Sequence, residues 1–191
     1  MWRLMVSLIF AITLTGCGPM FESKYEGPAE GDYGYGAPEE LEPLLARRDA
    51  EEVLADRDRM ITEIIAELSQ IVPGSQWLPH RQERRSGCGE FGSTYGKRIF
   101  GQIFTSEVAV PAALWNQASQ AVVDIAAKYG YTNITGRTEN PVGDESTDLT
   151  ITDSDGGRLS FGSQANAVLQ VVTGCYLTAE DKRQAREAAP K

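Results

Sequence analysis

Histidine and cysteine are almost absent from this 191-residue chain: His80 is the single histidine, and Cys17, Cys88 and Cys175 are the three cysteines. That scarcity removes most metal sites, because no Cys-x-x-Cys pair occurs and one imidazole is the whole supply. It also leaves any Ser-His-Asp or Cys-His arrangement with His80 as its only base, in a polar, arginine-rich stretch without an obvious nucleophile nearby in sequence. Gly-rich phosphate cradles are missing as well. No long hydrophobic run exists either: the apolar stretch at residues 4–15 is about a dozen residues, where a helix crossing a bilayer needs about 20. Cations are outnumbered, with 18 Lys and Arg against 27 Asp and Glu and a net charge of −9. A balance of that sign argues against nucleic-acid binding, which needs cations to neutralise phosphates.

What is present begins with TLTGCGP at residues 13–19. Preceded only by Arg3 and the terminal amine, the short apolar run reads as the core of a secretory signal. It ends in Leu14-Thr15-Gly16-Cys17, which resembles a bacterial lipobox. The resemblance implies cleavage between Gly16 and Cys17 and a diacylglyceryl thioether, with further acylation such as palmitate, on the Cys17 sulfur. Two or three acyl chains give stable attachment where one is marginal. Residues 1–16 are therefore expected to be a lipoprotein signal peptide. The remainder is expected on the extracytoplasmic face of the cell membrane, partnered with that membrane through the lipid on Cys17. Losing residues 1–16, which hold Arg3 and no acid, moves the formal charge from −9 to −10.

Residues 18–40 are rich in Gly, Pro and acids, without helical or alternating periodicity, and include Tyr33-Gly34-Tyr35-Gly36. Residues 17–42 thus read as a lipidated flexible tether, with a typical reach on the order of 25 to 30 Å. Residues 43–177 are long enough for one domain with a real core. Helical spacing starts after Pro43, with Leu54, Ile61, Ile64, Ile65, Leu68 and Ile71 on one stripe. It must stop near Val72, because Pro73 lacks a donor and Gly74 suits a left-handed exit. Residues 75–78 read as a short strand carrying Trp77, residues 79–89 as a polar, turn-rich loop, and residues 97–105 as extended.

A second helix is predicted over 111–129, opened by Pro111 and closed by Gly130. Its stripe of Trp115, Ala118, Val122, Ile125, Ala126 and Tyr129 marks core. Strands are predicted at 131–136, 148–152, 158–162 and 167–176, the middle pair joined by the DSDGG turn of residues 153–157. The result is an α+β domain: one mainly antiparallel sheet with two amphipathic helices packed on one face. Residues 178–191 are charged and without an apolar stripe, a polar C-terminal tail that is a frayed helix or disordered. Cys88 and Cys175 form an even pair in a compartment where disulfides persist, and a metal reading lacks ligands, so a bridge between them is expected.

Pro73-Gly74 with Trp77, Phe100-Gly101 with Phe104, the run Ala126-Ala127-Lys128-Tyr129-Gly130, and Gly174-Cys175-Tyr176-Leu177 stand in an order and spacing that resemble the mycobacterial LppA-type lipoproteins. The resemblance spans about residues 57–177 and implies an actinobacterial cell-surface lipoprotein with an α+β domain. It transfers no catalytic residue, and the longer tether and much of residues 140–154 depart from the family.

Asp144, Glu145, Asp148, Asp153 and Asp155 invite a glycosidase carboxylate pair or a calcium loop. DSDGG, however, lacks the later ligands and the bidentate Glu that such a loop needs. More distinctive is a local reversal of charge: His80, Arg81, Arg84 and Arg85 lie in residues 79–87 with Glu83 the only acid, and Lys97 and Arg98 follow. In an acidic chain that island is a candidate site for anionic groups, which Arg grips through paired N–H donors. The functional expectation is a noncatalytic envelope-binding or accessory lipoprotein, not an enzyme, with no cofactor, no metal and no nucleic acid, and with an anionic envelope ligand or a protein partner. An interaction or inhibitor module acting on a secreted protein is the alternative, with an envelope hydrolase behind it.

Overall fold

A computed structural model describes residues 38–88, 91, 96–143 and 145–188. The expected signal peptide, Cys17 and most of the expected tether lie outside the described residues, as do Glu90 and Asp144.

Among the described residues, four helices and seven strands follow in the order α1 (Pro38–Ala46), α2 (Ala50–Ile71), β1 (Trp77–Arg81), β2 (Arg84–Gly87), β3 (Lys97–Ser106), α3 (Ala112–Lys128), β4 (Asn133–Arg137), β5 (Thr147–Thr152), β6 (Arg158–Ser163), β7 (Ala167–Tyr176) and α4 (Ala179–Ala188). All seven strands join one antiparallel sheet in the order β1-β3-β7-β6-β5-β4, with β2 also on β3. This is the α+β architecture the residue patterns predict. After β3, helix α3 carries the chain to the far edge, and β4 to β7 return as a meander.

The core lies between the sheet and one helical layer. Met60, Ile61, Ile64 and Leu68 of α2 and Trp115, Ala118, Val122 and Ile125 of α3 pack with Leu149, Ile151, Leu159, Phe161, Leu169 and Val171. Period-two alternation puts those strand residues inside and leaves Thr150, Thr152 and Ser160 half-buried on the other face. Helix α2 ends before Gly74, which takes φ +86°. Helix α3 ends in a Schellman turn, with the Tyr131 N–H donating to the Ala126 carbonyl and Gly130 at φ +88°.

Trp115 is wholly buried, stacks on Phe161 at 5.1 Å between ring centres, and donates its indole N–H to the Thr138 carbonyl at 2.8 Å. Trp115→Ala is expected to lower stability by about 3 to 5 kcal/mol, because it removes a large apolar surface, opens a cavity and orphans that carbonyl. Urea unfolding followed by circular dichroism measures the loss.

Three segments differ from the sequence expectations. The stretch read as a polar loop at 79–89 holds the end of β1 and all of β2. Both pair antiparallel with β3, so together they make a single outer strand interrupted at Gln82 and Glu83. It escapes detection because every residue from Leu78 to Arg81 and from Arg84 to Gly87 is exposed, which erases alternation. Residues 38–46, partly assigned to the tether, form α1, whose Leu41 and Leu44 are buried.

The third segment is the supposed polar tail, of which residues 179–188 form α4. The α4 helix opens on a capping box: the Asp181 N–H donates to Thr178 Oγ1 at 2.9 Å, and the Thr178 N–H donates to Asp181 Oδ2 at 3.3 Å. It docks through buried Ala185 and through Lys182, whose Nζ meets Asp49 Oδ1 at 2.7 Å and the Arg47 carbonyl.

Candidate functional site

Cys88 and Cys175 are joined, with Cα atoms 5.9 Å apart. Both are buried in a small second cluster with Leu41, Leu44, Leu177 and Ala185. The bond ties the end of the outer strand, across β3, to the end of β7.

Beside it lies a polar knot. Arg47, in the break between α1 and α2, reaches Asp155 Oδ1 with Nε at 3.2 Å and donates from Nη1 to the Cys175 carbonyl at 2.7 Å. Its guanidinium also sits 5.1 Å from the Phe91 ring centre and 5.9 Å from that of Tyr176. The Tyr176 hydroxyl donates to Asp155 Oδ2 at 3.0 Å. Burial, then the charges of Asp153 and Asp155, push the Tyr176 phenol well above its ordinary range. Burial likewise raises the Asp153 carboxyl, although it accepts the N–H groups of Asp155 at 2.9 Å and Gly157 at 2.6 Å.

The carboxylates of DSDGG are thus engaged in shaping their own turn and in holding Arg47. Asp148 accepts from Thr138 Oγ1 at 3.1 Å. Among the described residues, no group of three or more His, Cys, Asp or Glu is placed to hold a metal ion. The turn sits directly on Gly174, where an added Cβ would stand 2.2 Å from the Asp155 carbonyl oxygen. That contact gives Gly174, within the Gly174-Cys175-Tyr176-Leu177 segment, a physical reason to be glycine.

The cationic island lies along the outer strand. His80 and Arg81 stand on β1, and Arg84 and Arg85 on β2, paired in register with Phe100 and Ile99. Lys97, at the start of β3, faces Gly87. All five side chains are exposed. Arg81, Arg84 and Lys97 form no ion pair among the described residues, whereas Arg85 lies 3.9 Å from Glu83. Arg98 is not part of this exposed row: it is half-buried, and its Nη2 lies 3.9 Å from where a Cβ on Gly156 would stand, against the DSDGG turn.

Sequence reasoning missed Arg57 of α2, which is 7% exposed. It grips Asp58 Oδ1 through Nε at 2.9 Å and Nη2 at 2.7 Å, and its Nη1 lies 2.9 Å from Glu83 Oε2. Its position was readable, since Arg57 falls three after Leu54 and four before Ile61, on the apolar stripe itself. Gly101 makes room for it: a Cβ there would stand 3.6 Å from the Arg57 side chain and 2.7 Å from the Val171 carbonyl oxygen. A cleft of about 350 Å³ opens beside this guanidinium, between α2 and β3 at the Glu83 interruption of the outer strand.

A family model described as "Lipoprotein confined to pathogenic Mycobacterium" matches residues 32–179. The fold is shared with a crystal structure of the lipoprotein LppA from Mycobacterium tuberculosis, at TM-score 0.63 and 17% identity, over 79% of this chain and 91% of that one. It is shared also with a protein of the DUF4853 family from Actinomyces odontolyticus, at TM-score 0.52 and 15% identity, over 72% of this chain and 73% of that one. Comparison with curated proteins found no match. The glycines at 101 and 174, where the backbone approaches closely, and the bridged Cys175 all fall within the matched span, and the chain belongs to the LppA family.

Proposed function

We propose that this protein is a noncatalytic lipoprotein of the cell envelope. In this reading it is held on the extracytoplasmic face by acyl chains on Cys17 and presents its cationic outer strand to anionic envelope polymers or lipid headgroups. Membership of a lipoprotein family associates the chain with the envelope. The observation that carries the binding role is the row of Arg81, Arg84 and Lys97, exposed and without ion pairs among the described residues, in a chain of net charge −9. A guanidinium without an acid partner among the described residues can pair with phosphate or carboxylate outside.

The triple change Arg81→Ala, Arg84→Ala, Arg85→Ala tests this. Each cation near an anionic surface contributes about 1 kcal/mol. Co-sedimentation of the chain with cell-envelope fractions is therefore expected to fall at least about tenfold at low salt, and by less at high salt, where exposed charges are screened. All three residues are exposed, so circular dichroism should be unchanged. Equal binding by the variant at low ionic strength would overturn the reading.

A further inference from the structure

We propose that the cleft between α2 and β3, at the interruption of the outer strand, is a binding site for a small monocarboxylate with an apolar tail, in which Glu83 is a built-in stand-in for the ligand. The inference is separate from the role of the outer-strand cations, and it rests on how Arg57 is held.

Burying a guanidinium is costly unless its donors are met, and Arg57 is met unevenly. Two of its nitrogens are committed: Nε and Nη2 make a forked pair with Oδ1 of the exposed Asp58, while Cδ and Nη1 lie over the floor left open by Gly101. Its remaining nitrogen, Nη1, is buried and has no hydrogen-bond partner of proper geometry among the described residues, although Glu83 Oε2 lies 2.9 Å away. Glu83 therefore neutralises the charge without making a well-aligned bond to the donor.

Glu83 is also poised to leave. It stands in the two-residue interruption between β1 and β2, so it makes no ladder pair with β3, and its side chain is part-exposed. Withdrawing it would break no strand pairing, and Arg85, 3.9 Å away, would remain as its counter-ion. The space it borders has an apolar wall of Ile61, Ile65 and Phe104 and a polar rim of Thr62 and Gln102. A few aimed polar groups on a largely apolar wall is the usual chemistry of a small-molecule site.

The ligand class follows. A carboxylate placed on Nη1 would take over the position of Glu83, and an aliphatic or aromatic tail would lie against Ile61, Ile65 and Phe104. A dianionic phosphate fits poorly, because only the single nitrogen that Glu83 now faces would meet it and the Asp58 carboxylate stands at the same guanidinium.

The test is calorimetric titration of the full chain in zwitterionic nanodiscs, with empty nanodiscs subtracted. Hexanoate is the probe, and acetate and inorganic phosphate are the comparisons. Hexanoate is expected to bind at least fivefold tighter than acetate, and phosphate not at all. Glu83→Gln is expected to tighten hexanoate at least fivefold by vacating Nη1, and Ile65→Ser to weaken hexanoate while leaving acetate unchanged. In a ¹⁵N spectrum the Arg57 Nε–H signal is expected to move as hexanoate is added. If Glu83→Gln binds hexanoate no better than the unaltered chain, or if hexanoate binds without moving the Arg57 signal, the proposal fails. Phosphate binding in place of hexanoate overturns the ligand class. None of these outcomes bears on envelope binding by Arg81, Arg84 and Arg85, which the sedimentation experiment reads independently.

Discussion

Replacing Cys17 by alanine is expected to abolish uptake of labelled fatty acid completely and to leave a precursor that retains residues 1–16. A methyl group offers no sulfur to carry the diacylglyceryl thioether, and no other cysteine can stand in, because Cys88 and Cys175 are buried and joined to each other. The energetic stake is large: each methylene buried in lipid contributes about 0.8 kcal/mol, so two or three acyl chains separate stable attachment from the marginal hold of one. Metabolic labelling with palmitate, read beside intact mass, tests both halves of the expectation. Persistent label on the variant would overturn the lipobox reading. Lost label together with normal cleavage would place the processing site elsewhere.

Removing the bridge is expected to have the largest effect on the folded domain. Cys88 and Cys175 are 87 residues apart in sequence, and closing a loop of that size restrains the unfolded chain by about 4 to 5 kcal/mol in the chain-entropy model. Native-state effects add to this, because both sulfurs fill the small cluster formed by Leu41, Leu44, Leu177 and Ala185. The double variant Cys88→Ala, Cys175→Ala should therefore unfold at markedly lower urea. It should also show a steeper denaturant dependence, since its unfolded state is no longer cross-linked and exposes more surface. Adding reductant to the unaltered chain should reproduce both changes. A midpoint that ignores reductant, with two free thiols by mass spectrometry, would mean that the bridge does not form.

The parts of the fold that could be read beforehand are those whose burial is one-sided. Helix α3 announces itself through Trp115, Ala118, Val122 and Ile125 between Pro111 and Gly130, and β5 and β6 through alternation about a glycine turn. The outer strand could not be read this way, because its pairing is supplied by β3 and its side chains meet water on both sides. Helix α4 was obscured by its charge, although Thr178-Ala179-Glu180-Asp181 already had the spacing of a capping box. At the candidate sites, the exposed arginines were visible as a charge reversal. The divergence of Arg98 from that row was not, since half-burial against a distant turn leaves no local mark. Arg57 was legible in position but not in partner: nothing near it in sequence signals that Glu83 lies across the cleft.

The interruption of the outer strand also bears on how copies of this protein behave when crowded. An uninterrupted sheet edge invites a neighbouring chain to continue the ladder, and chains gathered on one surface meet far more often than chains dilute in solution. Here β1 and β2 are only five and four residues long, Pro79 withholds a backbone donor within β1, and Arg81, Arg84 and Arg85 would set like charges opposite one another in an antiparallel pairing of two copies. The short, interrupted and cationic edge proposed above as an anion-binding surface therefore resists fibre-like self-association.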